Sequence, residues 1–307
     1  MGRRRVGLAA ACLAALLVAG CSGAGGAAGD RDGERGRLRV VATTTQVADL
    51  AANVGGDRVR VTSLLKPGID PHDYEPSPAD IDAIAHADLV LENGVGLEAW
   101  LSDTIDSSGF DGPVVDTSQG VRLRMVGGAP DPHTWQDPRN AERMAASIER
   151  GLAAAEPSAA PAFQANLAAY TKQLQALDAE VQRQVDSLAN RKVVTDHDAF
   201  GYYLDRYGLE LVGSVIPSFD SSAELPGRDI RDLVAKVRAT GVKAIFSETT
   251  LPPRAAETIG REAGVKVVTG DDALYGDSLG PPGSDGDTYI KMIRHNTATI
   301  ASNLSGT

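Results

Sequence analysis

From Leu38 onward, short apolar runs alternate with stretches whose apolar residues recur every three or four positions. The runs Leu38–Ala42, Val59–Leu65, Asp88–Glu92 and Val114–Asp116 predict strands, and Gln46–Val54 and Pro78–His86 between them predict helices. After residue 190 the alternation restarts. Strands are predicted at Lys192–Thr195, Leu211–Ile216, Ala244–Ser247 and Lys266–Thr269, with helices at Ala199–Tyr207, Pro226–Ala239 and Arg254–Ala263. Strand–helix alternation places successive strands parallel, with helices over both faces of the sheet. Between the two blocks, Phe163, Leu167, Tyr170, Leu174, Leu177, Val181, Val185 and Leu188 recur at steps of four or three, which predicts one amphipathic helix. Pro161 suits its first turn. About 27 residues at 1.5 Å each span ~40 Å, enough to run across two lobes. The stripe lasts under about four heptads, which argues against a coiled-coil partner, and the chain is read as a monomer. The expected fold is α/β: two lobes, each a parallel sheet flanked by helices, joined by one long connecting helix. Residues 38–155 form the first lobe, 156–190 the connection and 191–307 the second lobe.

The N-terminus reads differently. Arg3, Arg4 and Arg5 precede an apolar run from Val6 to Val18, too short to span a bilayer as a mature helix. Residues 1–20 are therefore read as a signal peptide. The end of that segment, Leu17-Val18-Ala19-Gly20-Cys21, resembles a bacterial lipobox, in which Cys21 becomes the lipidated first residue. Residues 21–37, rich in Gly, Ala and charge, read as a flexible tether. The expected location is the outer face of the cytoplasmic membrane, with the Cys21 lipid as the only contact with the bilayer. The chain's other cysteine, Cys12, lies in the removed segment, so no disulfide is available and the core must supply stability. With the signal gone, 27 basic residues face 41 acidic ones, a formal −14. That balance excludes nucleic acid and anionic membrane as partners.

Three of the five histidines lie just beyond predicted strands, each beside Pro or Asp. They are His72 in Asp70-Pro71-His72-Asp73, His133 in Asp131-Pro132-His133-Thr134-Trp135, and His197 in Thr195-Asp196-His197-Asp198. Ligands of open α/β sheets bind beyond the carboxyl ends of the strands, and neutral imidazole is a common zinc ligand. The placement predicts a metal site between the lobes, with two histidines from the first lobe and one from the second. A fourth ligand is expected after the last strand, where Asp277 is favoured and Asp271 and Asp272 remain open by spacing alone. Asp131, Asp196, Asp198 and Glu248 are candidates to orient the imidazoles, and Glu248 is also a candidate to face the metal. His86, at a predicted helix end, and His295, beside Arg294, are read as structural.

These motifs resemble the solute-binding proteins of bacterial zinc and manganese ABC uptake systems. The resemblance rests on Pro71-His72-Asp73-Tyr74-Glu75-Pro76-Ser77-Pro78, Ala87-Asp88-Leu89-Val90, Asn93-Gly94-Val95-Gly96-Leu97-Glu98, Asp131-Pro132-His133-Thr134-Trp135, His197-Asp198-Ala199-Phe200-Gly201-Tyr202, and Asp277-Ser278-Leu279 followed by Thr288-Tyr289. It covers nearly the whole chain beyond the tether. It implies a metal held by His72, His133, His197 and Asp277, and thereby favours Asp277 over its two rivals. It also implies delivery to a membrane permease and its ATPase. Manganese binders of this family tend to carry Glu at the third ligand position and zinc binders His, so His197 implies Zn²⁺ as the cargo, with Mn²⁺ as the alternative. One departure is the region before the second motif, Val121 to Gly128, which lacks the histidine-rich loop of many zinc members.

A closed four-ligand shell suits binding, because a catalytic zinc keeps a position open. The rival from another class is a zinc hydrolase with a three-histidine site and Glu248 as general base; coordination by Asp277 is what separates the two. A surface adhesin using the metal only for structure is a third reading. The chain is accordingly not expected to be an enzyme.

Overall fold

A computed structural model describes residues 36–305. The predicted signal peptide, Cys21 and nearly all of the tether lie outside the described residues. In chain order the elements are β1 (Leu38–Ala42), α1 (Thr45–Gly55), β2 (Val59–Ser63), α2 (Pro78–Ala85), β3 (Leu89–Glu92), α3 (Leu101–Ser108), β4 (Val114–Asp116), the two-residue strands β5 (Met125–Val126) and β6 (Ala129–Pro130), and α4 (Pro138–Ala155). They continue with α5 (Ala160–Asp186), β7 (Lys192–His197), α6 (Gly201–Tyr207), β8 (Glu210–Ile216), α7 (Gly227–Thr240), β9 (Ala244–Phe246), α8 (Arg254–Ala263), β10 (Lys266–Val268) and α9 (Tyr289–Leu304). Two four-stranded sheets result, in the orders β2-β1-β3-β4 and β10-β9-β7-β8, and every pairing within them is parallel. A parallel sheet must be covered on both faces, and the central strands β1, β3, β7 and β9 accordingly bury Val40, Val41, Leu89, Val90, Leu91, Val193, Val194, Ile245 and Phe246.

The helix α5 is the 27-residue connection between the sheets. Its first turn carries Pro161, where no backbone N–H is needed. Its stripe of Phe163, Tyr170, Leu174, Leu177, Val181 and Val185 is buried. One continuous apolar cluster reaches from Val40 and Leu89, through that stripe, to Val193 and Phe246. Asp178, also on the buried face, accepts hydrogen bonds from Arg139 on α4, and from Arg206 and Tyr207 on α6. A carboxylate on the connecting helix thus holds a cation from each lobe. Among the described residues no helix is long and apolar enough to cross a membrane.

Strand and helix positions follow the hydrophobic pattern within about two residues at most ends, the usual spread of such boundaries. One shift matters: β7 extends through His197, which is the last residue of the strand rather than part of the loop beyond it. Three features escape the pattern. Helix α4 has 18 residues, but its buried face is built from Asn140, Ala141, Ala145 and Ser147 as well as Met144, Ile148 and Leu152, so its apolar stripe is thin. Helix α3 buries only Leu101 and Thr104. The hairpin β5–β6 turns through Gly127 and Gly128, both with positive φ, and its four strand residues are exposed.

Candidate metal centre

His72 lies in the loop from β2 to α2, stiffened by Pro71 and Pro76. His133 follows the β5–β6 hairpin and opens a short 3₁₀ turn, Thr134–Gln136. His197 ends β7, and Asp277 follows the pairing of Glu248 with Leu274 at the edge beyond β9 and β10. The four side chains come from four separated stretches of chain, yet their ligand atoms all lie within 4.8 Å of one another. His72 Nε2 and His197 Nε2 stand 3.3 and 3.4 Å from His133 Nε2. Asp277 Oδ2 is 3.5 Å from His72 Nε2 and 3.2 Å from His197 Nε2, while Oδ1 is 3.5 Å from His133 Nε2. Corners of a tetrahedron drawn around a zinc ion at ~2.0–2.1 Å are about 3.3–3.4 Å apart. The measured spacings therefore match the edges of a metal's coordination shell. Asp271 and Asp272 lie in an exposed 3₁₀ turn, away from this cluster.

Two imidazoles are pinned from behind. Asp131 Oδ1 lies 2.8 Å from His133 Nδ1 and also accepts the His133 backbone N–H. Glu248 Oε1 lies 2.9 Å from His197 Nδ1 and accepts the His197 N–H. With Nδ1 protonated toward a carboxylate, the Nε2 lone pair points to the common centre. Glu248 therefore stands behind an imidazole and does not face the centre itself. Asp196 is one layer further out, accepting the Glu248 backbone N–H at 2.9 Å, and Asp198 faces Arg124 at 3.7 Å. Neither carboxylate touches an imidazole.

The electrostatics favour a cation. The side chains of Asp277, Asp131 and Glu248 are fully buried around three histidines, and both Asp277 oxygens lack a hydrogen-bond donor among the described residues. Burial pushes the Asp277 carboxyl up, but His197 and His133 outweigh it and hold it below the usual carboxylate range. Burial likewise disfavours the His197 imidazolium, yet Glu248 and Asp277 prevail and raise its pKa. His72 moves down, by burial first and then by the neighbouring imidazoles, against the pull of Asp277. Asp196 is pushed up to about 7 by burial and by Glu248. Buried carboxylates in excess of nearby cations are what a divalent ion would neutralise.

Behind Asp277 lies a group that the sequence pattern does not disclose. The Gly276 carbonyl accepts hydrogen bonds from Gln46 of α1 at 3.4 Å, Trp135 Nε1 at 3.2 Å and Gln136 at 3.1 Å. Three first-lobe donors thus fix the second-lobe backbone immediately before Asp277. Gly276 is required by close approach, since a Cβ there would stand 2.0 Å from Glu248 Oε2. The two remaining histidines are satisfied elsewhere. His86 caps α2 with its ring on the Asp82 carbonyl, and His295 bonds the Ala273 carbonyl while packing edge-on against Tyr275.

The family profile described as zinc-uptake complex component A, periplasmic, matches residues 40–303. The manganese-binding lipoprotein MntA of Halalkalibacterium halodurans is 33% identical over 296 residues, covering 95% of each chain. The iron ABC transporter substrate-binding lipoprotein MtsA of Streptococcus pyogenes is 28% identical over 318 residues, covering 99% of this chain and 100% of the relative. Among solved structures, the periplasmic zinc binding protein TroA from Treponema pallidum superimposes with a TM-score of 0.82 at 29% identity, covering 88% of this chain and 100% of that one.

Proposed function

Because this chain belongs to the family of periplasmic zinc-uptake complex component A proteins, we propose that it captures Zn²⁺ outside the cytoplasmic membrane and hands it to an ABC permease driven by its ATPase. The family consists of substrate-binding components of metal ABC transporters, not enzymes. In this reading His72, His133, His197 and Asp277 are the ligands, Asp131 and Glu248 orient two of them, and Asp196 supports Glu248. The site lies between a lobe of residues 38–155 and one of residues 191–307, joined by residues 156–190. Cys21 carries the lipid that keeps the protein at the membrane.

The observation that carries the reading is the set of donor spacings, 3.2 to 3.5 Å among ring nitrogens and carboxylate oxygens from four separated stretches of chain. Three imidazoles favour zinc over manganese, which prefers oxygen donors. Manganese is the second reading. It is favoured by Asp277, which turns both oxygens toward ring nitrogens and so offers a fifth donor, and by relatives named for manganese. The test is metal analysis of the purified protein together with competition between Zn²⁺ and Mn²⁺. One zinc per chain is expected. His72→Ala, His133→Ala, His197→Ala and Asp277→Ala should each weaken it by more than the roughly 10–100-fold that loss of an outer partner costs. Undiminished stoichiometry and affinity in any variant removes that residue from the shell. Replacing His197 by Glu should shift preference toward Mn²⁺, and an unchanged zinc-to-manganese ratio counts against the selectivity argument.

A further inference from the structure

Arg124 sits on the hairpin that precedes His133 and is tied to both lobes. Its backbone carbonyl accepts the Asp131 N–H across the hairpin at 2.9 Å, so the two residues are cross-strand neighbours. Its Nη1 donates to Asp131 Oδ2 at 3.1 Å, on the opposite oxygen from the one that holds His133. Its Nε donates to Asp205 Oδ2 on α6 of the second lobe at 3.0 Å, and Asp198 Oδ1 lies 3.7 Å from Nη1. The Arg124 backbone N–H donates to the Tyr202 hydroxyl, which in turn donates to the Asp131 carbonyl. Room for the guanidinium exists because residue 201 is glycine: a Cβ there would meet Nη1 at 2.2 Å.

From this geometry we propose that Arg124 is a positioning residue that latches the two lobes behind His133 and thereby slows escape of the bound metal ion. The inference rests on the metal-capture reading above. Asp131 is fully buried and can hold the His133 ring firmly only if its second oxygen is also held. Arg124 supplies that hold and extends it to Asp205 on the other lobe. Opening the lobes would pull the guanidinium from one carboxylate or the other, loosening His133 as the gap widens. A planar fork with several donors can serve carboxylates in different directions at once, which a lysine ammonium on a flexible stem does less well.

The test uses the full chain loaded with Zn²⁺ and mixed with an excess of a chromophoric chelator, reading the rate of metal release alongside thermal unfolding of the metal-free form. Arg124→Ala should release zinc about 10–100-fold faster, and Arg124→Lys should fall between it and the wild type. Asp205→Asn removes the charge of one second-lobe partner of the guanidinium, at an exposed side chain whose loss leaves the core intact, and should also speed release several-fold. Gly201→Ala suits the helix better but displaces the guanidinium, so release should quicken without a fall in the unfolding midpoint. Arg122→Ala removes the same charge from an exposed position of the same segment and should leave release within about two-fold of wild type. Wild-type release rates in both Asp205→Asn and Gly201→Ala, with one zinc still bound per chain, overturn the latch alone. A wild-type protein that binds no zinc overturns the site reading along with it.

Discussion

The carboxyl of Glu98 is enclosed by Thr43 Oγ1 at 2.6 Å, Asn93 N at 2.7 Å and Gly94 N at 3.1 Å, all donating to it. Burial nevertheless dominates and pushes it up to about 7. A carboxyl whose folded pKa exceeds its unfolded one binds protons more tightly when folded. Its stabilising contribution is therefore complete below about pH 4.5 and lost as pH rises through 7, up to ~3 kcal/mol in all. Urea unfolding from pH 4.5 to 8 should show Glu98→Gln gaining on the wild type across that window; a constant difference would mean Glu98 keeps an ordinary pKa. Gly276→Ala probes the other end of the centre. The added Cβ would drive Glu248 off His197, and zinc affinity should fall about 10–100-fold in chelator competition. Gly276 marks a limit of what the sequence discloses. The three histidine motifs are readable because each sets an imidazole beside proline or aspartate, although only His197 is the last residue of a strand. Gly276 and Arg124 are not, because what makes them matter is a partner up to 230 residues away in the chain.

Helix α5 shows the same division at the scale of elements. Its stripe is regular, large and long, and the sequence alone yields its place and its length. Leu174 and Leu177 are fully buried within it. Leu174→Ala or Leu177→Ala should cost about 2–5 kcal/mol in denaturant unfolding, with zinc stoichiometry retained. A loss below ~1 kcal/mol would mean the stripe is not the shared core of the two sheets. Helix α4, 18 residues against 27, buries alanines and small polar side chains among only three large apolar ones, so its stripe is thin. It packs along α5, a pairing that becomes visible only when both helices are in place. The positions of the central strands are legible for the opposite reason: buried parallel strands are mostly apolar and stand out between polar loops.

At the scale of the whole molecule, the question is how far the lobes can separate when the ion leaves. The largest apolar cluster is shared by both sheets and α5, and Asp178 holds Arg139 and Arg206 from either side. Around the site itself, Gly68 N donates to Ser278 Oγ at 2.9 Å, Leu279 N to Thr45 Oγ1 at 2.8 Å, and the Gly276 carbonyl takes three first-lobe donors. A wide hinge would break these bonds and expose core that the sheets have in common, whereas a sway of a few ångströms about α5 would strain only the mouth, where His72 is the one candidate ligand left partly open to solvent. Metal exchange is thus expected through local loosening around His72 and Arg124, not through gross opening. Small-angle scattering with and without Zn²⁺ should show the radius of gyration, about 18–19 Å for a compact body of this size, changing by less than ~0.5 Å. A compaction of several ångströms on adding zinc would show that α5 bends, and that the shared core is not the constraint its packing makes it.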